Sequence, residues 1–134
     1  MPARDFFDTN VLIYAVGRND PRASRAEALL DSGGKISVQS LNEFASVAHR
    51  KLHMSWKEIA EFVDVICTLC PEPAPISLQV HKRASVIAEK YKYDIYDALI
   101  ISAALQAGCR TLYSEDLQDG QTIDRQLTIR NPFR

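Results

Sequence analysis

The sequence predicts an α/β fold with a mainly parallel sheet. Short segments rich in strand-forming residues alternate with longer segments whose apolar residues recur at helical spacing. The 134-residue length fits one domain spanning residues 1–134, and 46% hydrophobic and 25% charged residues are ordinary proportions for a globular protein. Because sixteen basic residues nearly balance seventeen acidic ones, the net charge of −1 neither favours nor excludes a nucleic-acid partner.

The cysteines and the apolar pattern favour a cytoplasmic protein without a membrane segment. Cys67 and Cys70 form a CxxC pair, but no second pair or nearby histidine completes a zinc site, so packing at a helix end is the simpler interpretation. The residues after Met1 lack the apolar run of a signal peptide, and no segment approaches the length of a membrane span.

Strand formers and apolar periodicity predict the elements in order. The strands cover 6–7, 35–38, 110–114 and 127–129, with a minor one at 76–77. A helix should begin at Asp20-Pro21, as N-cap and first helical residue, and end at Gly33-Gly34. Apolar stripes predict further helices over 41–52, 59–66 and 80–91, and a helix buried all round over 98–107.

Three predicted helix starts carry an acid in capping-box spacing: Ser40-x-x-Glu43, Ser55-x-x-Glu58 and Asp94-x-x-Asp97. A carboxylate at this position satisfies free backbone amides and lies at the positive end of the helix dipole. Capping alone therefore explains each acid taken singly.

Topology separates these acids, because ligands of parallel sheets bind at the edge where the strands end. Asp8 and Asp116 each follow a predicted strand, and the helices that carry Glu43 and Asp97 begin at that same edge. The helix of Glu58 begins at the opposite edge. We therefore expect four carboxylates to converge: Asp8, Glu43, Asp97 and Asp116.

A convergent cluster of acids predicts a metal site. Like charges raise one another's pKa and destabilise the fold unless a cation compensates them. Oxygen ligands alone suit Mg²⁺, with Mn²⁺ as an alternative, better than zinc. His49, His53 and His81 fall on predicted helices as surface or packing residues, so a serine-type triad has no support.

Four segments resemble the motifs of the PIN-domain nucleases, and they occur in order over nearly the whole chain. They are Phe7-Asp8-Thr9-Asn10-Val11-Leu12-Ile13-Tyr14, Ser40-Leu41-Asn42-Glu43-Phe44, Tyr93-Asp94-Ile95-Tyr96-Asp97-Ala98-Leu99-Ile100 and Leu112-Tyr113-Ser114-Glu115-Asp116-Leu117. The compact form is most similar to the VapC-type toxins of toxin–antitoxin modules.

This resemblance implies a three-layer α/β/α sandwich with a parallel sheet of about five strands, and one or two Mg²⁺ ions held by the same four acids. It implies hydrolysis of RNA by water activated on the metal, leaving 5′-phosphate and 3′-hydroxyl ends. It also implies a cognate antitoxin and a homodimer. An antitoxin arginine could enter the carboxylate cluster, while an amphipathic segment docks beside Phe44, Trp56 and Phe62.

Several supporting roles stay open at this point. Thr9 and Ser114 match small hydroxyl positions that either support the carboxylates or only cap elements. Asp94 is an N-cap or a ligand, and Asp119 binds a second ion or faces solvent. Seven basic residues are either phosphate contacts or ordinary scattered surface charge: Arg18, Arg22, Arg25, Arg50, Lys51, Lys82 and Arg83.

Other functions fit less well. An aspartyl-phosphate phosphatase would need Asp-x-Asp after the first strand, where this chain has Asp8-Thr9-Asn10, and a receiver domain would need paired acids and a late lysine. A PIN-like scaffold that only binds is a third possibility, and the presence of all four acids argues against it. A nuclease could also serve housekeeping RNA processing instead of acting as a toxin.

Overall fold

A mainly parallel sheet forms the middle of the fold. The computed structural model describes residues 4–17 and 19–134. In those residues the strands are β1 (Asp5–Phe7), β2 (Thr111–Tyr113), β3 (Thr122–Ile123) and β4 (Leu127–Arg130). They lie in the order β1-β2-β4-β3, with β1, β2 and β4 parallel and β3 antiparallel to β4. The predicted α/β class with a mainly parallel sheet is confirmed.

Helices cover both faces of the sheet. Over the same residues they are α1 (Thr9–Val16), α2 (Ala23–Asp31), α3 (Val38–Arg50), α4 (Trp56–Leu69), α5 (Leu78–Tyr91) and α6 (Ile95–Gln106). Neighbouring residues of β1 point to opposite faces: Phe6 packs with α5 and α6, and Phe7 packs with α1, α2, α3 and α4. Since both rings are fully buried, the sheet lies between two apolar cores, as the three-layer prediction requires.

The buried helix α6 supports the sheet from one side. All of residues 98–105 are buried, and Gly108, with φ of +75°, follows the helix in the left-handed conformation. This matches the prediction of a helix that is apolar around its circumference. Within 4–17 and 19–134, no helix combines the length and the apolar character that crossing a membrane requires.

The segment predicted as the second strand contributes only isolated bridges. Lys35 lies beside β1 and exchanges two backbone hydrogen bonds of 2.9 Å with it. The ladder cannot continue, because the Ser37 side chain accepts a hydrogen bond from Ser40 N and caps α3, which begins at Val38. The sheet of the described residues therefore has four strands, fewer than the five expected.

Two further strand assignments differ from the prediction. The minor strand at 76–77 is wrong, because Ser77 caps α5 by accepting a hydrogen bond from Val80 N at 3.1 Å. Ala74 forms the bridge to Ser37 instead. The strand β3 was not predicted, because two residues are too few to show the alternation of apolar and polar residues that marks a strand.

The segment around α2 also shows how local contacts move a boundary. The helix begins at Ala23, later than Asp20-Pro21 predicts, because the Asp20 carboxylate binds both the backbone and the side chain of Arg22 in a turn before it. After the helix, Gly34 lies against Phe7, whose ring would come within 2.6 Å of an added Cβ. A larger residue at position 34 would displace a core side chain.

Candidate functional site

Asp8 is the most buried of the four predicted acids. It follows β1 and caps α1, with only 6% of its surface exposed. Its Oδ1 accepts a hydrogen bond from Thr9 N at 2.7 Å, and its Oδ2 accepts one from the Ser114 hydroxyl at 2.7 Å. Both hydrogen bonds fix the carboxylate at the edge where β1 and β2 end.

Glu43 lies one turn deeper in its helix than the sequence predicts. Ser37, not Ser40, caps α3, and Ser40 is buried inside the helix, so the predicted capping box of Ser40 and Glu43 is wrong. The Thr9 hydroxyl instead donates to Glu43 Oε2 at 3.1 Å. The carboxylate is therefore free of a capping role and is directed towards α1.

Asp97 lies in the first turn of α6. Asp94 is the N-cap of this helix and accepts a hydrogen bond from Asp97 N at 2.8 Å, which is the capping role proposed for it. The carboxylate of Asp97 lines a cleft at the sheet edge.

Asp116 lies in the loop after β2. Its Oδ2 accepts a hydrogen bond from Asn10 Nδ2 at 3.3 Å, and its backbone N donates to the Ser114 hydroxyl oxygen at 3.2 Å. Ser114 therefore contacts two of the predicted acids, because its hydroxyl also donates to Asp8. Ser114 and Thr9 each donate a hydrogen bond to one of the carboxylates, and Ser114 also accepts hydrogen bonds from the backbone of the following turn.

The four predicted acids line one cleft of about 280 Å³, which we call the acidic cleft. The side chains of α1 and α3 form the rest of its wall: Thr9, Asn10, Ile13, Ser46, Val47 and Arg50. The acids come from four different places in the chain: the end of β1, the middle of α3, the start of α6 and the loop after β2. The sheet topology brings them together, as the strand-edge argument predicted.

The other acids named in the sequence lie outside the acidic cleft. Asp119 Oδ1 accepts a hydrogen bond from Asn131 N at 2.9 Å, and Asp119 Oδ2 lies 3.6 Å from Arg134 Nη1. It therefore holds the C-terminal segment. Glu58 forms a complete capping box with Ser55, and neither lines the cleft.

Burial and mutual repulsion raise the pKa of three of the cleft acids. Burial, followed by repulsion from Glu43 and Asp116, raises the pKa of Asp8 from 3.8 to about 6, although its hydrogen bonds to Ser114 and Thr9 act in the opposite direction. Burial and the neighbouring carboxylates raise the pKa of Asp97 to about 6 as well. Burial also raises the pKa of Glu43. The cleft therefore holds more negative charge than its own hydrogen bonds compensate.

The donor set fits a hard divalent cation. The cleft offers carboxylate oxygens from four side chains, and Asn10 Oδ1, also in its wall, is buried without a hydrogen-bond partner in the described part of the chain. Among residues 4–17 and 19–134, however, no three Asp, Glu, His or Cys side chains stand in a ligating arrangement. Binding an ion would therefore require some of the four carboxylates to move closer together.

Without metal, we expect the free energy of unfolding to fall as the pH rises from about 4 to about 6. The pKa of Asp8 and of Asp97 is about 6 in the folded protein, against an ordinary value of 3.8. Between these values the folded state binds more protons than the unfolded state, so it loses stability as the pH rises and these protons dissociate. Above this window the effect levels off. Urea denaturation in EDTA at a series of pH values measures it.

Asp8→Asn is the control for this pH series, because it removes one of the two carboxylates and keeps its shape. The decline between pH 4 and 6 should be smaller in the variant than in the wild type. An equal decline in both proteins would show that the charge of Asp8 does not destabilise the fold.

A second polar cluster, beside the acidic cleft, was not predicted. Arg22 Nη1 donates to the Tyr14 hydroxyl at 2.7 Å and to Glu115 Oε1 at 3.1 Å, and its guanidinium carbon lies 3.6 Å from the centre of the Tyr14 ring. The Tyr14 hydroxyl also donates to Glu115. Burial and Glu115 raise the pKa of Tyr14 to about 12. This cluster ties α1 to the loop that carries Asp116.

Three of the seven predicted phosphate contacts have other roles. Arg22 belongs to the polar cluster just described, Arg25 Nε donates to Pro132 O at 3.2 Å, and Arg83 lies 3.6 Å from Asp124. Lys51 and Lys82 are exposed outside the acidic cleft, and Arg18 lies outside the described residues. Arg50 alone among the seven lines the acidic cleft in the described part of the chain.

Several solved structures share this fold. VapC20 of Mycobacterium tuberculosis, a sarcin–ricin loop cleaving toxin, matches with a TM-score of 0.69 at 17% identity, covering 84% of this chain and 89% of that one. A toxin–antitoxin complex from Klebsiella pneumoniae matches with a TM-score of 0.71 at 22% identity, covering 96% and 98%. FitAcB of Neisseria gonorrhoeae matches with a TM-score of 0.64 at 19% identity, covering 96% and 97%.

The sequence itself matches one family model. No curated protein sequence matches the chain significantly. The model of the PIN domain, however, matches residues 6–118, which include all four acids of the cleft and most of the chain. The chain therefore belongs to the PIN domain family.

Proposed function

We propose that this chain is a Mg²⁺-dependent endoribonuclease and the toxin of a toxin–antitoxin pair. The observation that carries the proposal is the acidic cleft: four carboxylates from separate elements line one cavity in a chain of the PIN family. Family membership supports nuclease activity. The description of VapC20 as a sarcin–ricin loop cleaving toxin supports RNA as the substrate.

In this proposal Asp8, Glu43, Asp97 and Asp116 hold the cation, either Mg²⁺ or Mn²⁺. When bound, the ion supplies positive charge that activates water and offsets the charge of the phosphate. Ser114 and Thr9 donate to Asp8 and Glu43 and so keep their oxygens oriented before substrate arrives. Asn10 holds Asp116 through its amide nitrogen, and its free Oδ1 can accept a hydrogen bond from a molecule in the cleft.

A cleavage assay with controlled metal content tests the activity. The purified chain, stripped with EDTA, should leave single-stranded and structured RNA intact, and Mg²⁺ or Mn²⁺ should restore cleavage. Products with 5′-phosphate and 3′-hydroxyl ends are expected. Cleavage that proceeds in EDTA, or products with 2′,3′-cyclic phosphate ends, would overturn the proposal.

The proposed partner is an antitoxin. Solved structures of similar fold include toxin–antitoxin complexes, which supports such a partner for this chain. An arginine from its C-terminal segment would pair with the cleft carboxylates in place of the metal. The homodimer implied by the family resemblance is part of the same proposal.

An apolar groove beside Phe62 is available for the amphipathic segment. Phe44 is fully buried and stacks on Phe62, while the exposed Trp56 stacks on His49. The groove has a volume of about 230 Å³ and lies between α1, α2 and α4, with Phe62 in its wall. We expect the amphipathic part of the antitoxin there.

Inhibition by the antitoxin should weaken as Mg²⁺ rises, because the ion and the arginine compete for the same oxygens. Co-expression with the neighbouring small gene, followed by Mg²⁺ titration of the purified pair and an RNA cleavage assay, measures this. Expression of the chain alone should arrest growth. If it does not, and no complex forms, a housekeeping role in RNA processing replaces the toxin.

A further inference from the structure

Arg50 lies at the rim of the acidic cleft, and no acid in the described part of the chain pairs with its charge. Its Nε donates to the Ser46 hydroxyl at 3.2 Å, and its side chain is exposed. We propose that Arg50 binds a backbone phosphate of the RNA beside the scissile one. This inference rests on the proposed nuclease function and adds a substrate-binding residue to it.

The helix geometry places Arg50 in line with the cleft. Glu43, Val47 and Arg50 are separated by four and three residues on α3, so their side chains share one face of the helix, and all three line the cleft. Seven residues of helix rise by about 10 Å. Arg50 therefore lies two turns from Glu43 along the same wall, far enough to meet a different phosphate.

The negative charge of the cleft favours a cation at its rim. Metal bound among the carboxylates would neutralise the scissile phosphate, but the neighbouring phosphates of the strand would still face a cluster of acids. A guanidinium at the rim compensates this repulsion, and its fork geometry matches two phosphate oxygens. The other predicted arginines in the described part of the chain are held by Glu115, Pro132 O or Asp124.

A second hollow lies near the ends of α1 and α3, past Arg50 in the chain. This hollow of about 480 Å³ is lined by Val16 and Gly17 at the end of α1, by the residues that follow α3, and by one acid of α4, Glu58. Along the chain, Arg50 comes after the α3 residues Glu43 and Val47 of the acidic cleft and before Leu52, which lines this hollow. A single strand leaving the cleft along this wall would pass the guanidinium first.

Steady-state cleavage of a single-stranded RNA oligonucleotide in Mg²⁺ tests the inference. Arg50→Ala should raise KM about tenfold and change kcat much less, because the interaction is formed in the bound substrate as well as in the transition state. Arg50→Lys should lie in between, since it keeps the charge and loses the fork. The affinity for RNA should also depend less on salt in Arg50→Ala: the negative slope of log affinity against log salt should become smaller in magnitude by about 0.7.

Lys51→Ala is the matched control. Lys51 is the next residue, carries the same charge, is also exposed and does not line the cleft, so its removal measures the loss of general positive charge. Melting temperatures of all variants report whether they fold. If the wild type cleaves RNA and the two variants have equal KM values, the role of Arg50 is wrong, while the proposed nuclease function still stands. No RNA cleavage by the wild type would overturn the proposed function and this inference together.

Discussion

Asp8→Asn should reduce Mg²⁺-dependent RNA cleavage by on the order of a thousandfold or more. Asp8 is the most buried of the four acids and accepts hydrogen bonds from Ser114 and Thr9, so we expect it to keep its position when a cation binds. Asparagine keeps the shape and one acceptor oxygen, but removes the charge that a cation needs. Asp97→Asn should show a similar loss, and the cleavage assay measures both.

The same variant should be more stable than the wild type in the absence of metal. Raising the pKa of Asp8 from 3.8 to about 6 corresponds to roughly 3 kcal/mol of destabilisation at neutral pH, and the variant gives up at most part of that through its altered hydrogen bond to Ser114. The melting temperature in EDTA should therefore rise. Mg²⁺ should stabilise the wild type and leave Asp8→Asn unchanged.

Asp119→Asn is the control for these measurements, because it removes an acid outside the cleft. Near-normal cleavage by both Asp8→Asn and Asp97→Asn would show that these residues are not metal ligands. A loss of activity together with a lower melting temperature in Asp8→Asn would point to a damaged fold instead.

Asp116→Ala should lose activity by orders of magnitude, and Asp119→Ala much less. Asp116 lines the acidic cleft and is held there by Asn10, whereas Asp119 binds Asn131 N and lies near Arg134. Asp119→Ala should instead cost about 1 kcal/mol of stability through the lost hydrogen bond to the C-terminal segment. Cleavage rates and urea denaturation of the two variants separate these effects.

The two alanine variants are controls for each other, since they lie three residues apart in one loop. The reverse order of activities would mean that Asp119 turns into the cleft when metal binds. Equal losses would mean that the loop as a whole, and not the carboxylate of Asp116, is required.

The sequence predicted the meeting of the four acids because topology, more than local detail, determines it. Asp8 and Asp116 follow strands that were recognisable from their apolar residues, and strands of a parallel sheet end at one edge. A shift of several residues in a helix boundary leaves that argument intact. The α3 helix shows this: its start was misplaced, yet Glu43 still lines the cleft.

What the sequence did not predict depends on contacts between distant segments. Ser37, and not Ser40, caps α3, and Ser37 also forms a bridge to Ala74, 37 residues later in the chain. Tyr14, Arg22 and Glu115 meet only in the folded chain, because 101 residues separate Tyr14 from Glu115. The role of Asn10 depends in the same way on the position of Asp116, 106 residues later. No local pattern marks such pairs.

The position of a bound metal ion tests the central claim most directly. Crystals grown with Mn²⁺ should show an anomalous difference peak inside the acidic cleft, at coordinating distance from Asp8 and at least two of Glu43, Asp97 and Asp116. The peak should disappear in crystals of Asp8→Asn and persist in those of Asp119→Asn. A peak outside the cleft, or one that persists in Asp8→Asn, would contradict a metal site built from these carboxylates.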